Sequence, residues 1–330
     1  MELKRIDYLD TVRVFAIYWI VFFAHMPGYM SDEVKAIRTL PMYDITRSCL
    51  SVMMFISGYL LSKYKFVTRH DIFHFYKKRM RRFYIPFAVS AFTLFFMKFN
   101  PDVKVLFTTL LGLSSFILPQ PGTLWFMSML MLFYIITPLF SKLIIGNSMF
   151  FHIFQIILFT TILIICERLV PVDTRLHANF LSYSLGLVFG TSKILNNIID
   201  NYYIGVIIIF TQFNLIRFRI TGESVYDIDV VLGIFSLLFI SKWMSFPCFK
   251  QILFILSYGS MALYLFHRQC FILFDYVYRH INNSDYSGIW YAITIMVPLS
   301  ILFTILIQKL YDFLNDIFTN KIKNSDEVKQ

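Results

Sequence analysis

The chain has 330 residues, of which 58% are hydrophobic and only 15% are charged. Soluble globular domains carry about 25% charged residues, so this composition excludes an ordinary water-soluble fold of this size. The formal net charge of +10 and the pI near 9.3 raise the question of nucleic acid, but basic loops beside anionic membrane lipids account for both, and no nucleic-acid partner is predicted.

Apolar runs of about 18 residues or more recur along the whole chain, and each can cross a hydrocarbon core of about 30 Å as a helix. They predict an all-α fold, a polytopic transmembrane helix bundle of about ten spans. The predicted spans are 11–29, 43–61, 83–99, 124–145, 149–170, 180–195, 202–216, 230–244, 252–276 and 290–311. The first is an uncleaved helix rather than a signal peptide, because no small-residue cleavage site follows it. The apolar stretch 105–118 is short for a span and suits an interfacial or re-entrant piece.

With ten spans, both termini lie on the same side of the membrane. Counted over the loops and the span ends beside them, that side has 18 Lys and Arg residues, against 9 on the other. Because cytoplasmic loops are enriched in Lys and Arg, both termini are predicted to be cytoplasmic. We therefore expect a multi-pass protein of the cell inner (cytoplasmic) membrane, with a membrane domain over residues 1–311 and a short polar cytoplasmic tail over 312–330.

The four cysteines are far apart in sequence and form neither a CxxC pair nor a zinc pattern with histidines, so no metal site is predicted. They are Cys49, Cys166, Cys248 and Cys270. The chain also lacks the P-loop, GxSxG and GxGxxG sequences. Nucleotide hydrolysis and soluble-type serine hydrolase chemistry therefore have no local support.

Two ionisable residues, Arg13 and His25, lie in the first predicted span, where such groups are costly and are candidate functional residues by default. The alternatives are a snorkelling anchor for Arg13 and an interfacial histidine for His25. The two are twelve residues apart, which turns them roughly 120° out of line in a regular helix. A single-residue bulge would restore their alignment, and such bulges are frequent at functional sites.

Five segments, read in chain order, together resemble the membrane acyltransferase-3 family. They are YLDTVRVFAIYWIVFFAHM (8–26), FISGYLLSK (55–63), FYKKRMRRFYIPF (75–87), LWFMSMLMLFYIITPLF (124–140) and LSYGSMALYLFH (256–267). The resemblance extends over nearly the whole chain, and the segments agree with the family in order and topology. The family pattern places the arginine and histidine of the first helix eleven residues apart, one fewer than in this chain.

The resemblance implies an integral membrane O-acyltransferase that moves an acyl group, usually acetyl from acetyl-CoA, to a sugar hydroxyl of a cell-surface polysaccharide such as a capsule or O-antigen. This chemistry needs either a base for the hydroxyl or a group that carries the acyl, and a neutral imidazole suits both roles. His25 is therefore the predicted catalytic residue, together with Arg13. Asp10 either pairs with Arg13 at i, i+3 or caps the first helix.

The resemblance also assigns Arg79 and Arg82, with the neighbouring Lys78, to binding of the acyl-CoA donor. The physical basis is bidentate contact between arginine and phosphate. The alternative for this basic run is an ordinary cytoplasmic anchor, which is the commoner role of a basic loop.

Four further residues are weaker candidates for the substrate path. Trp125 and Tyr134 either line the acceptor path, since sugars stack on aromatic rings, or serve packing. Ser260 and His267 form a second polar cluster late in the chain that is either functional or structural.

The competing function is a glycan exporter or flippase, which also has many spans and polar residues within them. Transporters commonly contain internal repeats with corresponding interrupted helices. The Arg and His of the first span and the basic run have no counterparts in the second half of this chain. Their absence favours a single-site enzyme.

Overall fold

The structure is a computed structural model that describes residues 7–31, 34–35, 40–144, 149–192, 194–218, 226–244, 250–283 and 287–327. These residues fold almost entirely as helices and contain no β-strand, which confirms the all-α prediction. The α-helices are α1 (Asp7–Tyr18), α2 (Leu40–Leu61), α3 (Arg69–Arg79), α4 (Ile85–Phe96), α5 (Val103–Leu110), α6 (Trp125–Ile144), α7 (Met149–Leu169), α8 (Leu176–Thr191), α9 (Ile194–Asp200), α10 (Tyr202–Phe218), α11 (Tyr226–Trp243), α12 (Lys250–Asn282), α13 (Ile289–Tyr291) and α14 (Val297–Glu327).

Three helical runs in the described part of the chain contain a π-helical segment, where hydrogen bonds join residues five apart and an extra residue fits into the turn. The segments are Trp19–His25 after α1, Met80–Tyr84 between α3 and α4, and Ala292–Met296 between α13 and α14. A 3₁₀ turn, Met26–Tyr29, follows the first of them. The first two segments carry or adjoin predicted site residues.

Each of the ten predicted spans coincides with a helix or a helical run, although residues 145 and 193, which belong to two of those spans, lie outside the described residues. Three runs are long and apolar enough to cross a membrane by length and composition: Tyr8–Tyr29, Phe151–Leu169 and Ile289–Ile317. The count of ten spans and the cytoplasmic placement of the termini stay predictions. The stretch 105–118 contains only α5, a helix of 8 residues, about 12 Å long and too short to cross.

Large apolar side chains point outward from the bundle. Phe96 is 75% exposed, and Leu169, Tyr203 and Trp290 are between 77% and 78% exposed. Such a surface is costly in water and favourable against lipid tails, so it agrees with a membrane location.

The closest helix pair is formed by α2 and α8. A Cβ added to Gly58, Gly186 or Gly190 would come within 3.0 Å of backbone atoms in the facing helix. Glycine at these positions lets the two backbones touch, as small residues do in membrane helix pairs. Gly186 lies opposite Phe55 and Gly190 opposite Ser62, so the two helices run parallel.

Helix α12 lies at the centre of the contacts that build the site. It runs parallel to α1, because Arg13 bonds Ser257 and His25 bonds His267. It runs antiparallel to the last helical run, which contains α14, because Tyr258 bonds Asp312 while Tyr291 bonds Phe274. These directions agree with the alternation expected of the first, ninth and tenth spans. Helix α14 continues to Glu327, so the predicted polar tail extends the last helix within the described residues.

Candidate active site

The first helical run carries Arg13 in α1 and His25 at the end of the π segment Trp19–His25. The π segment is a bulge of the kind that restores the alignment of two residues twelve apart, a point that the sequence had left open. Both side chains reach the same helix, α12: Arg13 bonds Ser257, and His25 bonds His267. The two predicted catalytic residues therefore share one face of the run but lie at its opposite ends.

Asp10, Arg13 and Ser257 form a hydrogen-bonded triad at the N-terminal end of this face. The Arg13 guanidinium donates to Asp10 Oδ1 at 2.8 Å and also to Ser257 Oγ, and the Ser257 hydroxyl donates to the same carboxylate oxygen at 3.1 Å. Helix α1 already includes Asp7, so Asp10 lies inside the helix and the helix-cap alternative is wrong. The carboxylate instead holds the Arg13 guanidinium toward α12.

A cavity of about 400 Å³ lies beside this triad, among α1, α2, α6, α12 and α14. Its volume falls in the range of small-molecule sites, about 300–1,000 Å³. Its polar lining includes five residues from the predicted set: Arg13, Arg79, Arg82, Tyr134 and Ser260. The rest of the wall is largely apolar, so the cavity is a mainly hydrophobic pocket with arginine side chains at one end.

Helix α3 carries the basic residues to this cavity. Its N-terminus is fixed by a capping box, in which the Thr68 hydroxyl accepts from the Asp71 N–H and the Asp71 carboxylate accepts from the Thr68 N–H. Hydrogen bonds from Thr68 lower the pKa of the exposed Asp71 carboxyl. The last turn contains Lys77, Lys78 and Arg79, whose charges complement the negative end of the helix dipole.

Arg79 packs against aromatic rings. Its guanidinium carbon lies 5.0 Å from the ring centre of Tyr134, 5.6 Å from that of Phe75 and 5.9 Å from that of Tyr64. Within the described residues, neither Arg79 nor Arg82 forms an ion pair with a carboxylate. Because unpaired cations in apolar surroundings are costly, this end of the cavity is suited to an anion.

A second cleft, of about 390 Å³, adjoins the cavity, and Arg82 lines both. The cleft is lined by His74, Lys77, Lys78, Arg81, Arg82 and Asn315. Lys78 therefore belongs to the cleft rather than to the larger cavity. The cleft contains four Lys and Arg cations and no acidic side chain in its lining, so its potential is strongly positive.

His25 and His267 meet just beyond the other end of the cavity. His25 Nδ1 lies 2.8 Å from His267 Nε2, and the two ring planes differ by only 8°. His267 is fully buried, and its Nδ1 lies 2.8 Å from the carbonyl oxygen of Tyr264. Neither histidine lines the cavity, but Tyr264 does, and its ring centre is 6.0 Å from that of His267. The Tyr264 ring thus lies beside both the cavity and the histidine pair.

Arg268 follows the pair on α12 and escaped sequence-based prediction. Its Nε donates to Thr123 Oγ1 at 2.9 Å, and its guanidinium carbon lies 5.7 Å from the ring centre of Tyr29 and 5.3 Å from that of Phe99. No carboxylate of the described residues forms an ion pair with it. A charged residue inside an apolar run is itself a signal of function, and that signal was present in the sequence.

Trp125 lies outside the cavity. It is buried at the start of α6, and the guanidinium carbon of Arg175 lies 3.5 Å from its ring centre. Arg175 in turn pairs with Asp173 at 2.8 Å. Tyr134 and Ser260 do line the cavity, and a place for Trp125 on the acceptor path stays a prediction.

Two polar residues of the cavity, Ser257 and Asp312, were not among the predicted site residues. Ser257 belongs to the quoted segment 256–267, whose S-x-x-S spacing could have identified it. Asp312 falls in the predicted tail and becomes recognisable only because α14 folds back along α12, where the Tyr258 hydroxyl donates to it at 2.6 Å.

No metal-binding cluster of three or more His, Cys, Asp and Glu side chains occurs among the described residues. Cys49, Cys166 and Cys270 are free thiols. Cys248 lies outside the described residues.

Comparison with known families gives one match, to the acyltransferase domain family Acyl_transf_3, over residues 6–309. The matched region includes every predicted site residue and all of α1 to α13. No curated protein and no solved structure matches the chain.

Proposed function

The chain belongs to the acyltransferase-3 family and is a membrane acyltransferase, and we propose that it transfers acetyl from acetyl-CoA to a sugar hydroxyl of a cell-surface polysaccharide. The observation that supports this most is the convergence of Arg13, Arg79 and Arg82, from two distant parts of the chain, on one cavity. Coenzyme A carries a diphosphate and a further phosphate, and the planar guanidinium binds phosphate through two parallel hydrogen bonds.

The two cavities suggest how the donor binds. Under this proposal, the phosphates of coenzyme A occupy the basic cleft around Lys78 and Arg82, where the concentration of cations is highest. The long, less polar arm that carries the thioester enters the larger cavity past Arg79, since its walls are mostly apolar. Both cavities lie at the predicted cytoplasmic end of the bundle, where acetyl-CoA is made.

His25 is proposed as the base of the reaction. It takes the proton of the acceptor hydroxyl while the hydroxyl oxygen attacks the thioester carbonyl carbon. The carbon–sulfur bond then breaks, and the leaving thiolate takes the proton from the His25 imidazolium. Atoms and charges balance, because coenzyme A leaves as the thiol and the sugar leaves as the ester.

Arg13 has a supporting role in this scheme. Its guanidinium is oriented by Asp10 and Ser257 and lines the cavity, so it is positioned to bind the donor rather than to touch the acceptor hydroxyl. His25 lies about 18 Å further along the run. The acceptor is therefore expected to approach from the opposite, outer end of the bundle, as suits a protein of the inner membrane that modifies a surface glycan.

The function is tested by chemical analysis of the host's surface glycan. The host expresses wild type, His25→Ala or the control His280→Ala at equal levels; His280 is exposed and lines neither cavity. We expect ester-linked acetyl with wild type and the control, and its loss with His25→Ala. Unchanged ester content in His25→Ala would refute the proposed role of His25. Loss of the glycan itself, rather than of its ester, would indicate an exporter.

Donor binding is tested separately on purified protein in detergent. Arg79→Ala and Arg82→Ala are expected to weaken acetyl-CoA binding, whereas Lys104→Ala, an exposed lysine remote from both cavities, leaves it unchanged. Dephosphorylated coenzyme A should bind wild type less tightly and be less sensitive to Arg82→Ala. If all three variants bind acetyl-CoA as tightly as wild type, the basic run does not bind the donor and is better explained as a membrane anchor.

A further inference from the structure

The contact between His25 and His267 determines which ring nitrogens of the two histidines carry a proton. His25 Nδ1 and His267 Nε2 are 2.8 Å apart, the ring centres are 4.9 Å apart and the ring planes differ by 8°. The rings thus meet edge to edge in nearly one plane, which is the geometry of a hydrogen bond between two imidazole nitrogens. Such a bond needs one proton, so one nitrogen donates and the other accepts.

The backbone of α12 decides which nitrogen of His267 carries its proton. His267 Nδ1 lies 2.8 Å from the carbonyl oxygen of Tyr264 and 3.2 Å from that of Leu263. Carbonyl oxygens only accept hydrogen bonds, so His267 Nδ1 carries a hydrogen and donates it. His267 is fully buried, and no carboxylate of the described residues pairs with it, so a second proton would create a buried charge without a counter-ion. Its Nε2 is therefore an acceptor.

The tautomer of His25 follows from that of His267. Since His267 Nε2 accepts, His25 Nδ1 must donate, and the basic lone pair of His25 is then at Nε2. This nitrogen is on the side of the ring that points away from His267. The same bond becomes charge-assisted, and so stronger, when His25 takes a second proton during the reaction.

We propose that His267 is the positioning residue of the transferase: it fixes His25 as the Nδ1–H tautomer and orients His25 Nε2 to take the proton of the acceptor hydroxyl. The inference rests on the proposed function for its catalytic meaning, although the tautomer itself does not depend on it. The helix backbone at Tyr264 thus sets, through two imidazoles, which nitrogen is the base. Loss of this bond removes the acceptor that selects the Nδ1–H tautomer of His25, and a general base in the wrong state loses its contribution of about 10²–10⁴-fold.

Two substitutions separate this role from simple packing. The carbonyl oxygen of glutamine reaches the place of His267 Nε2, so His267→Gln keeps an acceptor for His25. The shorter asparagine reaches only the place of Nδ1, so His267→Asn keeps the bond to the helix carbonyl but loses the acceptor. We expect kcat to fall about 10²–10⁴-fold in His267→Asn and much less in His267→Gln, with the KM for acetyl-CoA nearly unchanged in both. Equal losses in the two variants, or wild-type kcat in His267→Asn, would overturn the proposal.

Gln269→Leu is the matched control for loss of a buried polar residue. Gln269 is on the same helix and donates to Ser90 and Thr93 of α4, away from the histidine pair. This variant should lower the melting temperature while leaving kcat unchanged. If His267→Asn behaves in the same way, His267 is structural and the proposal is wrong.

A second measurement needs no variant to remain active. Nitrogen-15 NMR of wild-type protein with labelled histidine, in lipid nanodiscs, distinguishes protonated from bare ring nitrogens; the His25 signals are those lost in His25→Ala. We expect His25 protonated at Nδ1 and bare at Nε2, and the reverse would refute the inference. If His25→Ala retains full transferase activity while NMR shows the expected tautomer, the proposed function fails and the positioning of His25 stands. If His25→Ala is inactive while His267→Asn is fully active, the proposed function stands and the positioning role of His267 fails.

Discussion

Deleting one residue from the π segment is expected to leave the site intact. In a regular helix, a deletion would instead turn every later side chain away from its neighbours by about 100°. Phe23 is the residue to remove, because it lies in Trp19–His25, is 52% exposed and contacts the ring of Trp19 on the outer surface. The deletion reduces the separation of Arg13 and His25 from twelve to eleven residues. A regular helix then places them about 20° apart on one face, so the bulge is no longer needed.

The matched control inserts an alanine after Phe23. The π segment already absorbs one extra residue, so a second one turns His25 by about 100°. At a radius of about 5–6 Å for a helix with its side chains, this moves the imidazole sideways by about 8 Å. The 2.8 Å bond to His267 cannot survive such a shift, and activity should fall by about 10²–10⁴-fold, the contribution of a positioned base.

The assay measures ester-linked acetyl on the surface glycan in cells that express each variant at the same level, with the melting temperature of purified protein as a check on folding. We expect near wild-type ester content for the deletion and almost none for the insertion. If both variants melt like wild type and the deletion is as inactive as the insertion, the π segment has a role other than alignment, and the reasoning is refuted.

Three further predictions concern packing, Arg13 and charge. Gly186→Ala forces a methyl group against the Phe55 carbonyl, so we expect destabilisation by about 1–3 kcal/mol, seen as a lower melting temperature; an unchanged one would contradict the close α2–α8 contact. Asp10→Asn removes the carboxylate that orients Arg13 and should raise the KM for acetyl-CoA more than it lowers kcat, whereas Asp44→Asn, which breaks an i, i+3 pair on α2, should change neither. Acetyl-CoA affinity, measured by calorimetry, should fall with ionic strength because the cleft binds through exposed cations; a salt-independent affinity would place the phosphates elsewhere.

Much of the fold could be predicted because lipid leaves few alternatives. Backbone polar groups must be satisfied inside each span, so a long apolar run such as Ile289–Ile317 can only be helical. The sequence left open whether a bulge aligns Arg13 with His25, since residues twelve apart do not share a face of a regular helix. What the spacing did not fix was where in the run the extra residue would be absorbed.

The partners of the site residues could not be predicted in the same way. His25 and His267 are 242 residues apart in sequence, and Arg13 and Ser257 are 244 apart. Both contacts depend on α12 packing beside α1 in a parallel direction, which hydropathy does not encode. The two alternatives for Asp10 were open for a different reason. The choice between a helix cap and an ion pair depends on the residue at which the helix begins, and helix ends are hard to place from sequence.

Helix α12 connects the two ends of the site. Ser257 meets Arg13 at the proposed donor end, His267 meets His25 about 15 Å away along the axis, and Tyr264 lies between them on the helix. The Tyr264 side chain walls the cavity, while its backbone carbonyl holds His267 Nδ1. Under the proposed function, a thioester that enters from the basic cleft passes Tyr264 on its way to His25. The Tyr264 hydroxyl donates to the carbonyl oxygen of Thr123 at 3.3 Å, so the side chain and the backbone carbonyl of this residue bond different parts of the site. One residue of α12 therefore contributes both to the wall of the cavity and to the position of His267.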